Sequence, residues 1–372
     1  MKKTIQMFYS SKLNAFKKAL SCCFIYLAVF FGQGSVGICY SQDIHFSQSH
    51  MTPLLLNPSL AGVFDGSFRG IFNYKNQWQG MGASGATFNT GFFSCDTRLE
   101  KSKWQKGYLA LGFTAFKDVA GDLKLGTTQL NISLSGTVFI NKEQSIAGSI
   151  QGGYVQKSIS VAAMQWENQY DTGLGAYNSG LLSNEAISPS PISFAAFSSG
   201  FSWRFNKLQT SVSENNQLEA IVGLAAFNIN TPKQSFYSSG NFEEQYTKII
   251  IHGESRIGIK NTNLTVSPSA YLLKQGPSYE INIGTLVRWA LKNESTYTSN
   301  VKGLALSLGA NYRMKDAFIP MAMLEYSLYA IGISYDVNTS SLFQGTTGKG
   351  GIEISLRLIT SNIKNSPRRL LD

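Results

Sequence analysis

The sequence predicts an all-β fold, a transmembrane antiparallel β-barrel of about 14 strands, and three observations carry that expectation. Behind a leader of export type, the chain alternates apolar and polar residues with a period of two, over stretches of about ten residues. Charged side chains stand mid-strand on the polar faces, among them Glu254, Arg256, Arg288 and Arg313, as expected where that face lines water. After the leader, no run offers the ~18 consecutive apolar residues of a spanning helix. The 35 glycines suit a strongly curved sheet. Alternation alone also fits a soluble secreted β-sandwich. The length of one continuous alternating domain, without a disulfide framework, favours the barrel.

Residues 1–41 read as a signal peptide. Lys2, Lys3, Lys12, Lys17 and Lys18 form a basic start, and Ala19 to Phe31 an apolar core too short for a spanning helix of ~20 residues. Cys39 and Ser41 place cleavage before Gln42; lipidation at Cys39 is the alternative, with Ile38 where a small residue is expected. The full chain carries +10. Loss of the five leader lysines leaves +5, spread along the sequence, with no basic stripe for nucleic acid. Three of the four cysteines leave with the leader, so Cys95 remains alone and no intrachain disulfide forms.

Residues 42–66 form an N-terminal periplasmic lead-in. Pro53 and Pro58 lack backbone donors and exclude an uninterrupted helix. Asn57, Pro58 and Gly62 shape a turn, with Leu54 to Leu56 packed on the barrel rim so that the lead-in plugs or caps the periplasmic mouth. The barrel follows over 67–358. Its expected strands are 67–76, 86–99, 107–117, 126–140, 143–158, 191–206, 217–229, 246–260, 262–273, 278–290, 301–314, 317–325, 328–336 and 350–358. In the fourth, Leu130, Ile132, Leu134 and Val138 alternate with Asn131, Ser133, Ser135 and Thr137; in the last, Ile352, Ile354 and Leu356 alternate with Glu353, Ser355 and Arg357. Tyr74, Trp78, Tyr108, Trp203, Tyr271, Trp289 and Tyr312 fall near strand ends, where an interfacial girdle would lie. Tight turns at Asn141-Lys142 and Asn261-Thr262-Asn263 fall on the periplasmic side. The long polar connections 159–190 and 337–349 fall outside. A connection of about thirty residues exceeds what a hairpin needs. The first one carries Trp166, Glu167, Tyr170, Asp171 and Tyr177, side chains suited to protein contact. It is expected to hold a secreted partner; the alternative is a loop folded inward that narrows the lumen. Residues 359–372 are a basic tail with Lys364, Arg368 and Arg369.

No catalytic, cofactor-binding or metal site is expected. His45, His50 and His252 lie far apart in sequence, without the cysteine or acid spacing of a zinc site. There is no GxSxG elbow, P-loop or dinucleotide fingerprint. His252 and Glu254 share a strand face and read as two polar side chains toward the lumen.

A series of segments in order carries a family resemblance: LLLNPSLAG at 54–62, YKNQW at 74–78, FNTGFFSCDTRL at 88–99, the hairpin at 111–138, GSIQGGYVQKSIS at 148–160 with MQWENQYD at 164–171, GLAAFNINTPKQSF at 223–236, SPSAYLLKQG at 267–276 and GISYDVNTSSL at 332–342. Together they resemble the PorP/SprF family, outer-membrane proteins of the type IX secretion and gliding-motility machinery of Bacteroidetes. The resemblance implies residence in outer-membrane lipid. It also implies two kinds of partner: periplasmic type IX components, and the C-terminal signal domain of a secreted adhesin or other cargo. Asn57, Pro58, Gly62, Trp78, Trp166 and Tyr170 are the candidate protein-interaction residues. The last expected strand ends at Leu358 rather than at an aromatic residue, a departure from the pattern of such barrels. Two function classes follow: a non-enzymatic component that binds and anchors a secreted surface protein, or a general diffusion porin or small-solute channel. The proline-containing lead-in favours the first, because a simple porin has no need of it.

Overall fold

The computed structural model describes residues 44–77, 88–99, 106–121, 123–160, 164–184, 191–207, 215–234, 243–292, 303–340 and 348–360. Trp78, the leader and the tail beyond Thr360 lie outside these. Fourteen strands form the wall: β1 Phe68–Gln77, β2 Phe88–Leu99, β3 Gly107–Ala120, β4 Leu125–Phe139, β5 Gln144–Ser158, β6 Ile192–Lys207, β7 Leu218–Phe227, β8 Lys248–Gly258, β9 Leu264–Gln275, β10 Ser278–Lys292, β11 Leu304–Arg313, β12 Ala317–Tyr326, β13 Tyr329–Asn338 and β14 Lys349–Thr360. Each pairs antiparallel with its sequence neighbours, and β14 closes on β1 from Phe68↔Thr360 to Gln77↔Gly351. Every expected strand is present, with ends displaced by at most a few residues.

The distribution of polarity is inverted relative to a soluble protein. On β4, Ile132 is 64% exposed while Ser133 and Ser135 are fully buried; on β14, Ile354 is 46% exposed and Glu353 fully buried. Phe72, Phe197, Phe201, Leu224, Ile283, Leu308 and Ile331 extend the same outward apolar belt, the surface of a barrel that meets lipid. A sheet closed on itself leaves no unpaired edge in hydrocarbon.

Two of the expected girdle aromatics point the other way. Tyr74, Trp289 and Tyr312 face outward, but Tyr108 and Tyr271 are buried in the lumen. The reason is hydrogen bonding: the Tyr108 hydroxyl donates to Gly62 O at 3.1 Å and that of Tyr271 to Glu280 Oε1 at 2.5 Å.

The barrel has two unlike ends. At the entry end, where β1 begins and β14 stops, Asn141 Oδ1 accepts from the backbone N–H groups of Glu143 and Gln144 and closes the β4–β5 turn. Asn261 takes positive φ in the β8–β9 turn at the same end. At the opposite, loop end stand the β5–β6, β7–β8 and β13–β14 connections. The β9–β10 and β11–β12 turns there are short, with Gly276 and Lys315 at positive φ.

Candidate functional site

The lead-in lies inside the barrel, deeper than a contact at the rim. It is built from three short turns: Ser49–Met51, helix α1 at Pro53–Leu56, and Pro58–Leu60. Each proline opens its turn, where a missing N–H costs nothing. A helix advances about 100° per residue, so one turn sends three consecutive leucines to three sectors of the wall. Leu54 packs with Tyr108 and Ala110, Leu55 against Phe46, Phe92 and Phe116, and Leu56 against Ala225, Phe227, Ile250, Tyr271 and Leu273. Met51 fills a fourth cluster with Ile71, Met323 and Ala330. Lead-in and wall thus share the apolar clusters at this height of the lumen.

Polar contacts hold this plug at three levels. Near the loop end, Glu353 of β14 accepts from two successive backbone N–H groups, Ser47 at 2.7 Å and Gln48 at 3.1 Å. Ser47 Oγ donates to Asp336 at 2.6 Å, and Lys75 (3.2 Å) and Arg313 (3.0 Å) both reach that carboxylate. Gln48 exchanges hydrogen bonds with Glu353 O and Ser355 Oγ, and Asn311 donates to Ser47 O. The Asp336 carboxylate is thus matched by two cations and a hydroxyl, and Glu353 by two backbone donors of the plug, which offsets the cost of keeping these ions out of bulk water.

At mid-height Asn57, fully buried, caps the Pro58–Leu60 turn by accepting from Ser59 N at 2.9 Å. Its amide donates to Phe201 O (3.0 Å) and Leu224 O (3.3 Å) and lies 3.1 Å from His252 Nε2. The wall is recessed to receive it. A Cβ at Gly223 would stand 2.6 Å from Asn57 Nδ2, and one at Gly200 would overlap Asn57 Oδ1 and stand 3.1 Å from Pro58 Cδ. Gly112 makes room in the same way for Leu54 and Ala61, and Gly332 for Gln48.

Near the entry end, Gly62 turns at φ +74 and a Cβ there would meet Ala110 Cβ at 2.6 Å. Its N–H donates to Asp96 Oδ2 at 2.8 Å, and Asp96 also accepts both Arg69 Nε and Nη2 at 2.9 Å. Arg98 Nε donates to Gly62 O at 2.7 Å and its guanidinium also reaches Phe64 O. The Phe64 ring lies under both arginines, 4.6 Å from Arg69 and 5.4 Å from Arg98.

Between plug and entry end the lumen keeps a cavity of about 650 Å³. Its charged lining is organised in two triplets: Glu219 with Arg204 (2.6 Å) and Arg256 (3.5 Å), and Glu325 with Arg288 (2.6 Å) and Arg357 (2.9 Å). The mid-strand charges Glu254, Arg256, Arg288 and Arg313 expected on the lumenal face are all there. His252 and Glu254 share that face too, but His252 serves the seat of Asn57.

The structure thus brings Asn57, Pro58 and Gly62 together in the plug. Trp166 and Tyr170 lie apart from them in the β5–β6 connection. There, Tyr170–Asp171 pairs with Ala176–Tyr177, and Asp171 Oδ1 accepts from Gly173 N at 2.8 Å and Leu174 N at 3.2 Å. Asn168 and Gln169 tie back to Ser183 O and Leu181 O. Trp166 is half-buried; Tyr170, Leu174 and Leu182 are exposed, Leu182 at 81%. Among the described residues of this loop, none lines the lumenal cavity. The wall residues that grip the plug (Lys75, Asp96, Asp336, Glu353, Gly200 and Gly223) were not singled out as site residues by sequence reasoning. The available signal was charge and glycine on the polar faces.

No curated protein matches the chain. Among solved structures it is similar to the toluene transporter TbuX of Ralstonia pickettii, at 9% identity and TM-score 0.45, over 82% of this chain and 93% of that one. It is also similar to a deltaS2 mutant of the monoaromatic hydrocarbon channel TodX, at 9% identity and TM-score 0.46, over 82% and 92%. A third is BamA of Haemophilus ducreyi lacking POTRA domains 1–3, at 9% identity and TM-score 0.39, over 79% and 70%. At such identities and scores these likenesses say nothing of function. The family comparison does: residues 38–358 match the model of the type IX secretion system membrane protein PorP/SprF, and the chain belongs to that family.

Proposed function

We propose that this protein is a non-enzymatic anchor of the type IX machinery in the outer membrane. In this reading it binds a secreted surface protein through its C-terminal signal domain and works with periplasmic components of the same system. The observation that supports a binding role over a diffusion porin is the plug. Leu54, Leu55, Leu56 and Asn57 fill the lumen at mid-height, and glycines on the wall are placed to admit them. An open diffusion pore gains nothing from a wall cut to fit an obstruction.

In this reading the unlike ends set the orientation. Residues 1–41 act as a cleaved signal peptide, the entry end faces the periplasm, and the loop end faces outward. The β5–β6 loop then presents Tyr170, Leu174 and Leu182 at the cell surface, and Trp166 and Tyr170 contribute to holding the cargo. Co-purification of the tagged protein from outer membranes tests the reading, with bound partners identified. Replacing Trp166 and Tyr170 by alanine should release the secreted partner while the barrel assembles normally. Retained cargo with altered conductance would instead make the loop a constriction.

A further inference from the structure

The three levels of contact follow one another along the barrel axis in sequence order. Ile44 and His45 lie at the loop end: His45 O accepts from Lys75 Nζ at 3.4 Å and His45 Nδ1 is 3.7 Å from Glu280 Oε2. Lys75 is near the finish of β1 and Glu280 near the start of β10, both at that end. Asn57 sits at mid-height, and Gly62 among Asp96, Arg98 and Tyr108 at the entry end. Ser67 N then donates to Thr360 O at 2.9 Å as β1 begins. The lead-in therefore traverses the lumen, and its leading residues are at the end opposite to the one where the wall starts.

We propose that Ile44 and His45, the half-buried leading end of the plug with Phe46–Gln48 enclosed behind them, reach the same external face as the long loops, so that a protein held at that face touches the plug itself. The proposal rests on the outward placement of the loop end argued above. A continuous set of bonds joins the plug to that face. Ser47 Oγ donates to Asp336, Arg313 donates to both Asp336 and Asp316, and Thr339 N donates to Asp316 O at 2.7 Å. Met314–Asp316 is the β11–β12 turn and Thr339 starts the β13–β14 connection. Asp316 is 37% exposed, whereas Asp336 and Arg313 are enclosed. A partner pressing on that turn thus reaches Ser47 through Arg313, which both carboxylates share. The partner that fits is the secreted protein approaching from outside, not a component of the periplasm.

Three variants carrying one epitope test the placement: inserted between Gln42 and Asp43, within 172–175, or after Thr360. Heat-modifiable migration on gels verifies that each barrel has assembled. Labelled Fab should stain intact cells for the first two, and cells of the third only after the outer membrane is permeabilised. Staining of the 172–175 epitope on intact cells, with the one ahead of Ile44 hidden until permeabilisation, overturns the proposal and leaves the orientation standing. A hidden 172–175 epitope with a surface-stained one after Thr360 overturns the orientation itself. In a second arm, a photo-crosslinking residue at position 44 should capture the same secreted protein as one at position 170. Capture from position 170 alone overturns direct contact with the plug.

Discussion

Replacing Asn57 by alanine should loosen the plug without harming the barrel. The side chain supplies the cap on Ser59 N and two hydrogen bonds into the wall, at Phe201 O and Leu224 O. A lost Asn cap costs about 1 kcal/mol, and each buried hydrogen bond nets about 1 kcal/mol. Together these remove about 2–4 kcal/mol from the seated state. At ~1.4 kcal/mol per factor of ten, the ratio of unseated to seated plug should rise roughly 30- to 1,000-fold. Proteoliposome swelling reads this out as faster uptake of small sugars. Gly223→Val approaches the same seat from the wall, because its first added carbon would overlap His252 Nε2 and stand 2.6 Å from Asn57 Nδ2. Asn57→Ala leaves every strand pair of the wall intact, and Gly223→Val crowds the side chain of His252 rather than a backbone ladder atom, so both variants should keep heat-modifiable migration. Uptake equal to wild type in both would refute the reasoning that this seat holds the plug.

Three further outcomes follow from the same geometry. Glu353→Ala removes the acceptor of two buried backbone donors, Ser47 N and Gln48 N. Each buried donor left without its acceptor costs about 1–3 kcal/mol, so hydrogen exchange at the Ser47 and Gln48 amides should accelerate strongly, and less so in Glu353→Gln. Gly62→Ala forces a side chain into positive φ against Ala110 and should cost about 1–3 kcal/mol, seen as a lower unfolding temperature of the folded band on gels. In the β5–β6 loop, the N–H groups of Leu174 and Gly173 hold the Asp171 carboxyl below its usual range. The stabilisation is present above the ordinary carboxylate pKa and is lost as pH falls through the lowered one. The 172–175 turn should therefore resist proteolysis at neutral pH, and Asp171→Ala should be cut faster there.

The wall of this molecule was open to sequence reading because its rule is local. Ile132 beside Ser133 and Ile354 beside Glu353 state which face meets lipid, whatever lies across the lumen. Errors fell at strand ends. β3 runs past its expected end at Lys117 to Ala120, through Asp118, which resembles the start of a turn in sequence but pairs across to β2, where Thr90 donates to it at 2.6 Å. β7 stops at Phe227 because Asn228 takes positive φ. Composition also identified Asn57, Pro58 and Gly62 as turn residues, but not where the turns would sit. That information is non-local. Gly200 and Gly223 matter because Asn57, more than 140 residues earlier, occupies the space their side chains would take. The inward placement of Tyr108 has the same origin, since its partner Gly62 belongs to the plug, whereas Tyr271 bonds Glu280 of the adjacent strand.

The central claim is that the lumen is closed by the lead-in, and single-channel recording in planar bilayers tests it most directly. The intact protein should show a closed baseline with rare, brief openings. A variant lacking residues 43–56 should show steady conductance, because it loses Leu54 to Leu56 and the Glu353 clamp on Ser47 and Gln48. Steady large conductance from the intact protein, unchanged by that deletion, would contradict the account and return the barrel to the class of open channels.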